Sequence, residues 1–256
     1  MTGDKNRKVL ALIPARYQST RFPGKPLADI GGKSMIQRTY EQAQKASLID
    51  AVAVATDDEK IYRHVENFGG AVFMTRDEHP SGTDRIAEVA TKMKDFEIIV
   101  NVQGDEPFIH PQQINDLIAF ITASDNFQIA TLARKIQSTD DLFNPNVVKV
   151  VKDLKNKALY FSRCPIPYFR GMEGEKWLTE RVYFQHIGMY AFKRETLLNI
   201  TKLAPSELEK TESLEQLRWL ENGYSIGVLE TEFSTISVDT PEDLLKLKDF
   251  LAEKNI

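Results

Sequence analysis

The sequence predicts an α/β fold built on a mostly parallel sheet, and three features of the chain lead to this class. Short apolar runs rich in valine and isoleucine alternate with segments of helical period over the first half of the chain. These runs are apolar on both sides, which is typical of strands buried between helices. Hydrophobic residues make up 42% of 256 residues, which is enough to build a sizeable core. Strands that alternate with helices are joined by right-handed crossovers and therefore run parallel.

The first half of the chain contains four predicted strands and three predicted helices. The strands are Val9–Ile13, Ala51–Ala55, Ala71–Met74 and Glu97–Val102, and the helices are Met35–Ala46, Glu59–Phe68 and Arg85–Met93. Ligands of open parallel sheets bind beyond the carboxyl ends of the strands. The loops that follow these strands are therefore where we expect a functional site.

The pattern changes after Asp125, where further strands follow one another with longer connections. These strands are predicted at Ile129–Ile136, Val147–Val151, Ala158–Arg163, Ile187–Phe192 and Ile226–Glu230. Glu207–Asn222 has the leucine spacing of a single helix that Gly223 would terminate, and Thr240 is expected to cap a final helix. We therefore expect a single domain with two halves, residues 1–125 and 126–256, the second half returning to the core.

Composition limits the classes of function that are open to this chain. The formal net charge is −4, so no global positive field attracts nucleic acid, and a bound anion must be held by local charges. The single cysteine, Cys164, excludes an internal disulfide and fits a reducing compartment. No apolar stretch near the N-terminus is long enough for a signal peptide or a membrane span. We expect a cytoplasmic protein.

The densest group of cations follows the first predicted strand. The segment Ile13–Pro26 passes from an apolar strand into a loop that carries Arg16, Arg21 and Lys25. Backbone N–H groups at the end of a parallel strand, together with such cations, form a cradle for a triphosphate. The alternative is a basic loop that only contacts solvent.

Two carboxylates follow other apolar runs. In Asn101–Pro107, Gly104 allows the backbone to approach a ligand closely and Asp105 projects from the end of a strand. Asp239 follows another strand-like run. Carboxylates placed in this way can hold Mg²⁺ together with substrate phosphates. The alternatives are a strand-ending turn for Asp105 and a helix cap for Asp239.

The segment after the third strand offers groups that suit a nucleobase. Thr75, Arg76 and the run Ser81–Arg85 supply hydroxyls, N–H groups and guanidinium groups. The alternative is a turn followed by a helix cap at Ser81 or Thr83.

Polar residues in the second half form a less specific set. His186 and Tyr190 share one face of a predicted strand, with Gly188 between them leaving room for a ligand. The alternative for His186 is a satisfied core histidine. Arg163 suits a substrate carboxylate or a structural ion pair. Glu212 and Gln216 lie four residues apart on the predicted helix and therefore share one face. The alternative is that this face is only exposed to solvent.

Taken in order, these segments resemble the 3-deoxy-manno-octulosonate cytidylyltransferases, also called CMP-Kdo synthetases. The resemblance runs over nearly the whole chain. Its anchors are Ile13–Pro26, Val102–Pro107, Asn144–Val151, Ala158–Arg163, His186–Tyr190, Leu214–Arg218 and Val238–Leu244.

The resemblance implies a nucleotide-diphospho-sugar transferase fold, which is a Rossmann-like sheet with a smaller lobe for sugar binding and dimerisation. Residues 1–125 would then form the nucleotide-binding half, and residues 126–256 the sugar-binding and dimerisation half of a homodimer. The implied reaction transfers CMP from CTP to 3-deoxy-manno-octulosonate and releases pyrophosphate, which activates the sugar for lipopolysaccharide synthesis. Mg²⁺ is the implied cofactor.

The resemblance also implies a role for each candidate residue. The catalytic set would be Arg16, Lys25, Asp105 and Asp239, of which the two aspartates would bind the metal. The nucleotide would be bound by Ala15, Arg16, Arg21, Lys25, Arg76, Ser81, Gly82 and Thr83. The sugar would be bound by Gln103, Arg163, His186, Tyr190, Glu212 and Gln216.

Three alternatives remain open at the level of sequence. One is the 8-amino analogue of the same sugar as the acceptor. The second is a cytidylyltransferase for a nine-carbon acidic sugar, although those relatives usually lack the Gln103–Pro107 segment. The third is a nucleotide-binding protein without catalytic activity, which would not need a metal placed for chemistry.

Overall fold

The computed structural model describes residues 7–18, 22–234, 237–238, 240–245 and 247. The chain divides into two compact units. Unit 1 comprises Met1–Ile118 and Thr235–Ile256, and unit 2 comprises Ala119–Ser234. The predicted nucleotide-binding and sugar-binding roles of the two halves stay predictions.

Unit 1 is built on a parallel sheet, as its apolar runs predict. Its strands are β1 (Val9–Ala15), β4 (Ala51–Thr56), β5 (Val72–Met74) and β6 (Ile98–Asn101), and a short hairpin consists of β2 (Asp29–Ile30) and β3 (Lys33–Ser34). The parallel strands lie in the order β6-β1-β4-β5. Nearly every residue of β1 is buried, which explains why its sequence is apolar without alternation.

Three helices of unit 1 each begin at a side-chain cap. They are α1 (Met35–Gln44), α2 (Glu59–Asn67) and α3 (Gly82–Lys92). Their caps are Ser34, Asp58 and Ser81, whose side chains accept hydrogen bonds from backbone N–H groups of the first turn. Each of these helices follows a strand after a short connection, so each loop between them is fixed at both ends.

The end of the described chain returns to unit 1. Val238 and Leu247 are buried in one apolar cluster with Ile30 and Met35. Residues 241–245 are helical, and Thr240 accepts a hydrogen bond from the N–H of Asp243, as expected for a helix N-cap. The predicted return of the chain to the core therefore involves this cluster.

Unit 2 contains a mixed sheet. Its strands are β7 (Ile129–Lys135), β8 (Lys149–Lys152), β9 (Ala158–Ser162), β10 (Phe184–Lys193) and β11 (Ile226–Glu230). β11 pairs with β7 in parallel, whereas β10 pairs antiparallel with β7 and with β8, and β8 pairs antiparallel with β9. The prediction of an α/β fold with a mostly parallel sheet is confirmed, and the strand predictions hold to within a few residues at each end.

The helix predicted over Glu207–Asn222 is wrong in one respect, because two helices occupy this range. They are α8 (Glu207–Glu212) and α9 (Glu215–Glu221). Ser213 interrupts them with a φ of 51°, in the left-handed region, which a continuous helix cannot include. Glu212 and Gln216 are therefore not successive positions on one helix face.

Four further helices are not signalled by the patterns used above. They are α4 (Pro111–Ala123), which contains the boundary between the units, and α5 (Thr139–Phe143), α6 (Trp177–Glu180) and α7 (Arg194–Ile200). Three of the four are seven residues or shorter, too short to carry a clear helical period. Of the described helices, none combines the length and apolar character needed to cross a bilayer.

Candidate active site

The first loop of unit 1 folds back on itself immediately after β1. The N–H of Gly24 donates to the carbonyl of Tyr17 at 2.9 Å, and Gly24 has a φ of 72°. A side chain at Gly24 would be strained by this φ and would also contact the Tyr17 ring. Lys25 starts a short 3-10 helix directly after this turn. Arg21 lies outside the described residues, so its predicted phosphate contact stays a prediction.

Lys25 meets Asp105 at the carboxyl edge of the sheet. Lys25 Nζ lies 2.8 Å from Asp105 Oδ2, and the two side chains are 17% and 25% exposed. They belong to the loops that follow β1 and β6, which are neighbouring parallel strands. The structure therefore joins the cation expected for phosphate to the carboxylate expected for a metal.

Two glycines allow the segments after β5 and β6 to approach Pro14 of β1 closely. A Cβ atom at Gly104 would lie 3.0 Å from the carbonyl oxygen of Pro14, and one at Gly82 would lie 3.1 Å from its side chain. These distances are tighter than ordinary van der Waals contacts, so glycine is needed at Gly104, where the neighbour is backbone. The loops after β1, β5 and β6 are thus held close together.

The segment that leads to Asp239 is fixed next to Asp105. The N–H of Val238 donates to the carbonyl of Asp105 at 3.0 Å, and the Val238 side chain is fully buried. Asp239 itself lies outside the described residues, so its predicted role in metal binding stays a prediction. The hydrogen bond places the main chain of Val238, one residue before Asp239, beside Asp105.

Glu106 differs sharply from its neighbour Asp105. Burial, and next the charge of Asp105, raise the pKa of Glu106 to about 8. Its Oε2 atom has no hydrogen-bond partner among the described residues. Glu106 is therefore mainly protonated at neutral pH and does not compete with Asp105 for a cation.

Arg16 leaves the end of β1 and contacts the loop after β5. Its Nη2 atom donates to the carbonyl oxygen of His79. Partial burial, and next the charge of Arg85, lower the pKa of Arg16, while Asp57 and Asp84 oppose this shift. An arginine remains protonated under such a shift, so Arg16 keeps its positive charge at the sheet edge.

The loop between β5 and α3 combines cap residues with a buried ion pair. Ser81 caps α3 by accepting from the N–H of Asp84 at 3.1 Å, as the alternative reading of this segment expects. The guanidinium of Arg85, expected from sequence to be available to a nucleobase, is instead fully buried. It donates to Asp57 and to Thr75, each at 2.5 Å.

The other residues predicted to bind the nucleotide remain near this edge. Ala15 ends β1, Gly82 and Thr83 form the first turn of α3, and Arg76 is largely exposed. Thr83 is buried. Their contacts with a nucleotide stay predictions.

In unit 2, Arg163 and Glu212 are joined through the main chain. The Arg163 N–H donates to Glu212 Oε2 at 2.8 Å, and the Ser162 hydroxyl donates to Glu212 Oε1 at 2.6 Å. The Arg163 guanidinium donates only to carbonyl oxygens, those of Glu212, Pro145 and Ser213. Its charge is therefore not paired with a carboxylate among the described residues.

A buried lysine that the sequence did not single out lies in the same region. Lys149 Nζ donates to the carbonyls of Asn144 and Val147 at 2.9 and 2.6 Å. Loss of hydration is the largest effect on its pKa, which is lowered, and the nearby charge of Arg163 acts in the same direction. Lys149 and Arg163 are thus two cations whose side chains each donate to carbonyl oxygens.

His186 and Tyr190 lie together, but not through simple strand alternation. A bulge in β10 shifts its register against β7 between Ile187 and Tyr190, so that His186 pairs with Ala133 and Tyr190 with Thr131. The two rings are 5.4 Å apart between centroids. His186 Nε2 lies 2.9 Å from the hydroxyl of Thr131, and burial lowers the pKa of His186 to about 3. His186 is therefore neutral at physiological pH.

Tyr190 and Gln216 are buried residues. Burial, and next the charge of Glu215, raise the pKa of Tyr190 well above its ordinary value. The Tyr190 hydroxyl has no hydrogen bond of normal geometry among the described residues. Gln216 is on α9 beside Glu215. Gln103, the remaining sugar candidate, belongs to unit 1 and follows β6.

A cavity of about 340 Å³ opens at the carboxyl ends of β7 and β11. Its lining residues are polar or charged and carry both signs of charge. They are Arg134, Lys135, Gln137, Glu230, Thr231, Glu232 and Ser234. The residues predicted to bind the sugar do not line this cavity.

The fold and the loops at its edge define a class of protein. A parallel sheet whose first loop presents an arginine and a lysine next to an aspartate is the arrangement expected of a nucleotidyltransferase. A family model described as cytidylyltransferase matches residues 10–230 of the chain. The class is therefore that of the cytidylyltransferases.

Individual relatives narrow this class. A 3-deoxy-manno-octulosonate cytidylyltransferase of Parabacteroides distasonis is 54% identical over 252 residues, covering 96% of this chain and 99% of the relative. One of Cytophaga hutchinsonii is 52% identical over 244 residues, covering 94% and 97%. The chain belongs to the family of the 3-deoxy-manno-octulosonate cytidylyltransferases.

A solved structure supports the same placement. It is described as a CMP:2-keto-3-deoxy-manno-octonic acid synthetase complexed with CTP, and it is 42% identical to this chain. The match has a TM-score of 0.90 and covers 96% of this chain and 99% of that one. The resemblance drawn from the sequence motifs is confirmed.

Proposed function

We infer that the protein transfers CMP from CTP to the anomeric hydroxyl of 3-deoxy-manno-octulosonate and releases pyrophosphate. The observation that carries this function is the 54% identity, over 96% of the chain, to a relative named for the reaction. The pairing of Lys25 with Asp105 at the sheet edge agrees with it. Neither the 8-amino analogue nor a nine-carbon sugar is favoured by a specific observation.

Arg16 and Lys25 bind the phosphates of CTP in this proposal. Both cations belong to the segment that follows β1, where an anion gains from guanidinium and ammonium groups and from nearby backbone N–H groups. Arg21, if it faces the same ligand, adds a third cation. Ala15, Arg76, Ser81, Gly82 and Thr83 bind the rest of the nucleotide.

Asp105 and Asp239 hold Mg²⁺ in this proposal. Asp105 fits such an ion because it is a partly exposed carboxylate next to a neutral Glu106, and Mg²⁺ commonly takes one or two carboxylates plus substrate phosphates. When bound, Mg²⁺ offsets negative charge on phosphate oxygens and acidifies a hydroxyl that it contacts. Lys25 is assigned to the triphosphate, and its ion-pair partner Asp105 would hold the metal.

Residues of unit 2 recognise the sugar. The Arg163 guanidinium, which hydrogen-bonds carbonyls rather than a carboxylate, suits the carboxylate of the sugar acid. Glu212 fixes Arg163 and Ser162 through its two oxygens, so we assign it to positioning. The buried hydroxyl of Tyr190, the neutral ring of His186 and the side chain of Gln216 bind sugar hydroxyls, and the assignment of Gln103 of unit 1 stays a prediction.

The reaction needs little covalent participation by the protein. The anomeric oxygen of the sugar forms a bond to the α-phosphorus of CTP in line with the bond that breaks, and pyrophosphate leaves with that electron pair. The hydroxyl proton passes to solvent water as the new bond forms. The residues named above position the reactants and neutralise charge that develops on the phosphate oxygens.

Two other expectations remain predictions. A homodimer follows from the resemblance, and a cytoplasmic location follows from the use of a single cysteine.

Pyrophosphate release tests the proposed function. Purified protein is mixed with CTP and Mg²⁺ and offered 3-deoxy-manno-octulosonate, its 8-amino analogue or sialic acid in parallel. We expect rapid release with the first sugar and a requirement for Mg²⁺ that chelation removes. A strong preference for either of the other sugars would contradict the proposed acceptor. No pyrophosphate release with any of the three sugars, in protein that binds CTP, would contradict the proposed catalytic activity.

A further inference from the structure

The loop between β5 and α3 is attached to α3 by two side chains three residues apart. Arg85 donates to the Thr75 hydroxyl at 2.5 Å and to the carbonyl of Arg76 at 3.3 Å. Glu88 accepts from the N–H of Arg76 at 3.0 Å through its Oε2 atom. The start of the loop is therefore held to the helix through its main chain.

His79 extends this attachment to the first loop. Its ring is nearly buried, and its Nε2 atom lies 2.6 Å from Glu88 Oε2. Its carbonyl oxygen accepts a hydrogen bond from Arg16 Nη2. The Arg16 guanidinium is thus connected to Glu88 through a single intervening residue.

We propose that His79 and Glu88 are positioning residues, which orient the Arg16 guanidinium for the nucleotide phosphates without touching the nucleotide. This inference rests on the proposed function, in which Arg16 binds CTP. A guanidinium has five N–H donors in one rigid plane, so a single carbonyl bonded to one nitrogen restricts the direction of the others. The position of that carbonyl depends on the hydrogen bond between His79 and Glu88.

The charge state of Glu88 suits this role. Burial disfavours its ionised form, but hydrogen bonds from His79, the Arg76 N–H and Lys92 outweigh that effect and lower the pKa of Glu88 to about 2. The carboxylate therefore stays ionised over the whole range in which the enzyme would be assayed. A permanent acceptor on α3 keeps the His79 ring in one orientation.

Substitutions of the pair test the inference through CTP affinity. We expect His79→Ala and Glu88→Ala each to raise the Kd for CTP about tenfold, the effect of losing one well-placed hydrogen bond. The KM for the sugar should stay unchanged. His79→Gln, whose amide can still donate to Glu88, should restore most of the affinity. Calorimetric titration of CTP measures the Kd directly.

A control separates positioning from general destabilisation. His64 is a second partly buried histidine of unit 1 with a side-chain partner, since its Nε2 atom lies 2.7 Å from the Ser34 hydroxyl. His64→Ala should lower the melting temperature as His79→Ala does, but leave the Kd for CTP unchanged. Equal losses of CTP affinity in both variants would overturn the positioning role.

A double-mutant cycle with Arg16→Ala decides whether the pair acts through Arg16. In the Arg16→Ala background, His79→Ala should change the Kd for CTP less than twofold. A persisting tenfold effect would mean that His79 acts independently of Arg16 and would overturn the inference. Wild-type protein that neither binds CTP nor releases pyrophosphate would instead remove the proposed function, so the two failures are distinguishable.

Discussion

Lys25 and Asp105 form an ion pair of 2.8 Å although 80 residues separate them in the sequence. The pair joins the loops after β1 and β6, and it places a lysine and an aspartate on the same edge of the sheet. Each of the two groups neutralises the other until ligands engage them. A phosphate that binds Lys25 and a cation that binds Asp105 therefore favour each other.

The first prediction concerns Asp105. Asp105→Asn removes the negative charge with little change of shape, and we expect kcat for pyrophosphate release to fall by about a thousandfold or more. The melting temperature should change little. Asp29→Asn, which changes an exposed aspartate of the same unit, is the matched control and should keep full activity. Wild-type turnover of Asp105→Asn at saturating Mg²⁺ would contradict the metal site.

The second prediction concerns the choice of the sugar acid. Arg163→Ala should raise the KM for 3-deoxy-manno-octulosonate about 10- to 100-fold, because a charge-assisted hydrogen bond contributes about 1.5–3 kcal/mol. The Kd for CTP should not change. Arg170→Ala, an exposed arginine of the same unit, provides the comparison. A rise of equal size in both variants would mean that general charge, rather than the position of Arg163, attracts the sugar.

The third prediction concerns the pH dependence of stability. The pKa of His186 falls from an ordinary value near 6.5 to about 3 on folding, so its contribution to stability is present above pH 6.5 and is lost as the pH falls toward 3. In that window the free energy of unfolding should decrease by up to about 1.4 kcal/mol per pH unit because of this site. His186→Gln should show a shallower slope in denaturant titrations between pH 6.5 and 4. Identical slopes would mean that the ring is hydrated in the folded state.

The fourth prediction concerns the buried ion pair between Arg85 of α3 and Asp57. Asp57→Asn leaves the fully buried guanidinium of Arg85 without a compensating charge, and we expect the free energy of unfolding to fall by about 3 kcal/mol. Glu59→Gln breaks an exposed ion pair with Arg63 on α2 and should change the free energy of unfolding very little. Chemical denaturation measures both. Equal losses of unfolding free energy in the two variants would show that the burial of Arg85 does not increase the contribution of its ion pair to stability.

The elements that sequence reading placed correctly are those with strong periodicity or strong end signals. The sequence predicts β1 because nearly all of its residues are buried and apolar, and it offers Ser81 as the cap of α3. The presence of Lys25 and Asp105 on the same edge also follows from sequence, since the carboxyl ends of parallel strands share one edge. Their direct ion pair was not predicted. The identity of the sugar came from the resemblance, not from the spacing of residues.

The features that sequence reading missed depend on contacts between distant segments. The leucine spacing does not reveal the break at Ser213. The carbonyl oxygens of Ser213 and of the preceding Glu212 accept hydrogen bonds from Arg163. The bulge after Ile187 brings His186 and Tyr190 closer than alternation implies. The link from Glu88 through His79 to Arg16 joins three elements, so no local pattern reports it.

The packing of Val238 and Leu247 against Ile30 and Met35 has a consequence for synthesis of the protein on the ribosome. Unit 1 begins the chain, yet its core includes residues that are translated after all of unit 2. At about 5–20 residues per second, roughly 6–26 s pass between the emergence of Ile118 and that of Leu247. During this interval the nascent first unit exposes the apolar surface that these residues later cover, which makes it a natural client for chaperones that act during translation.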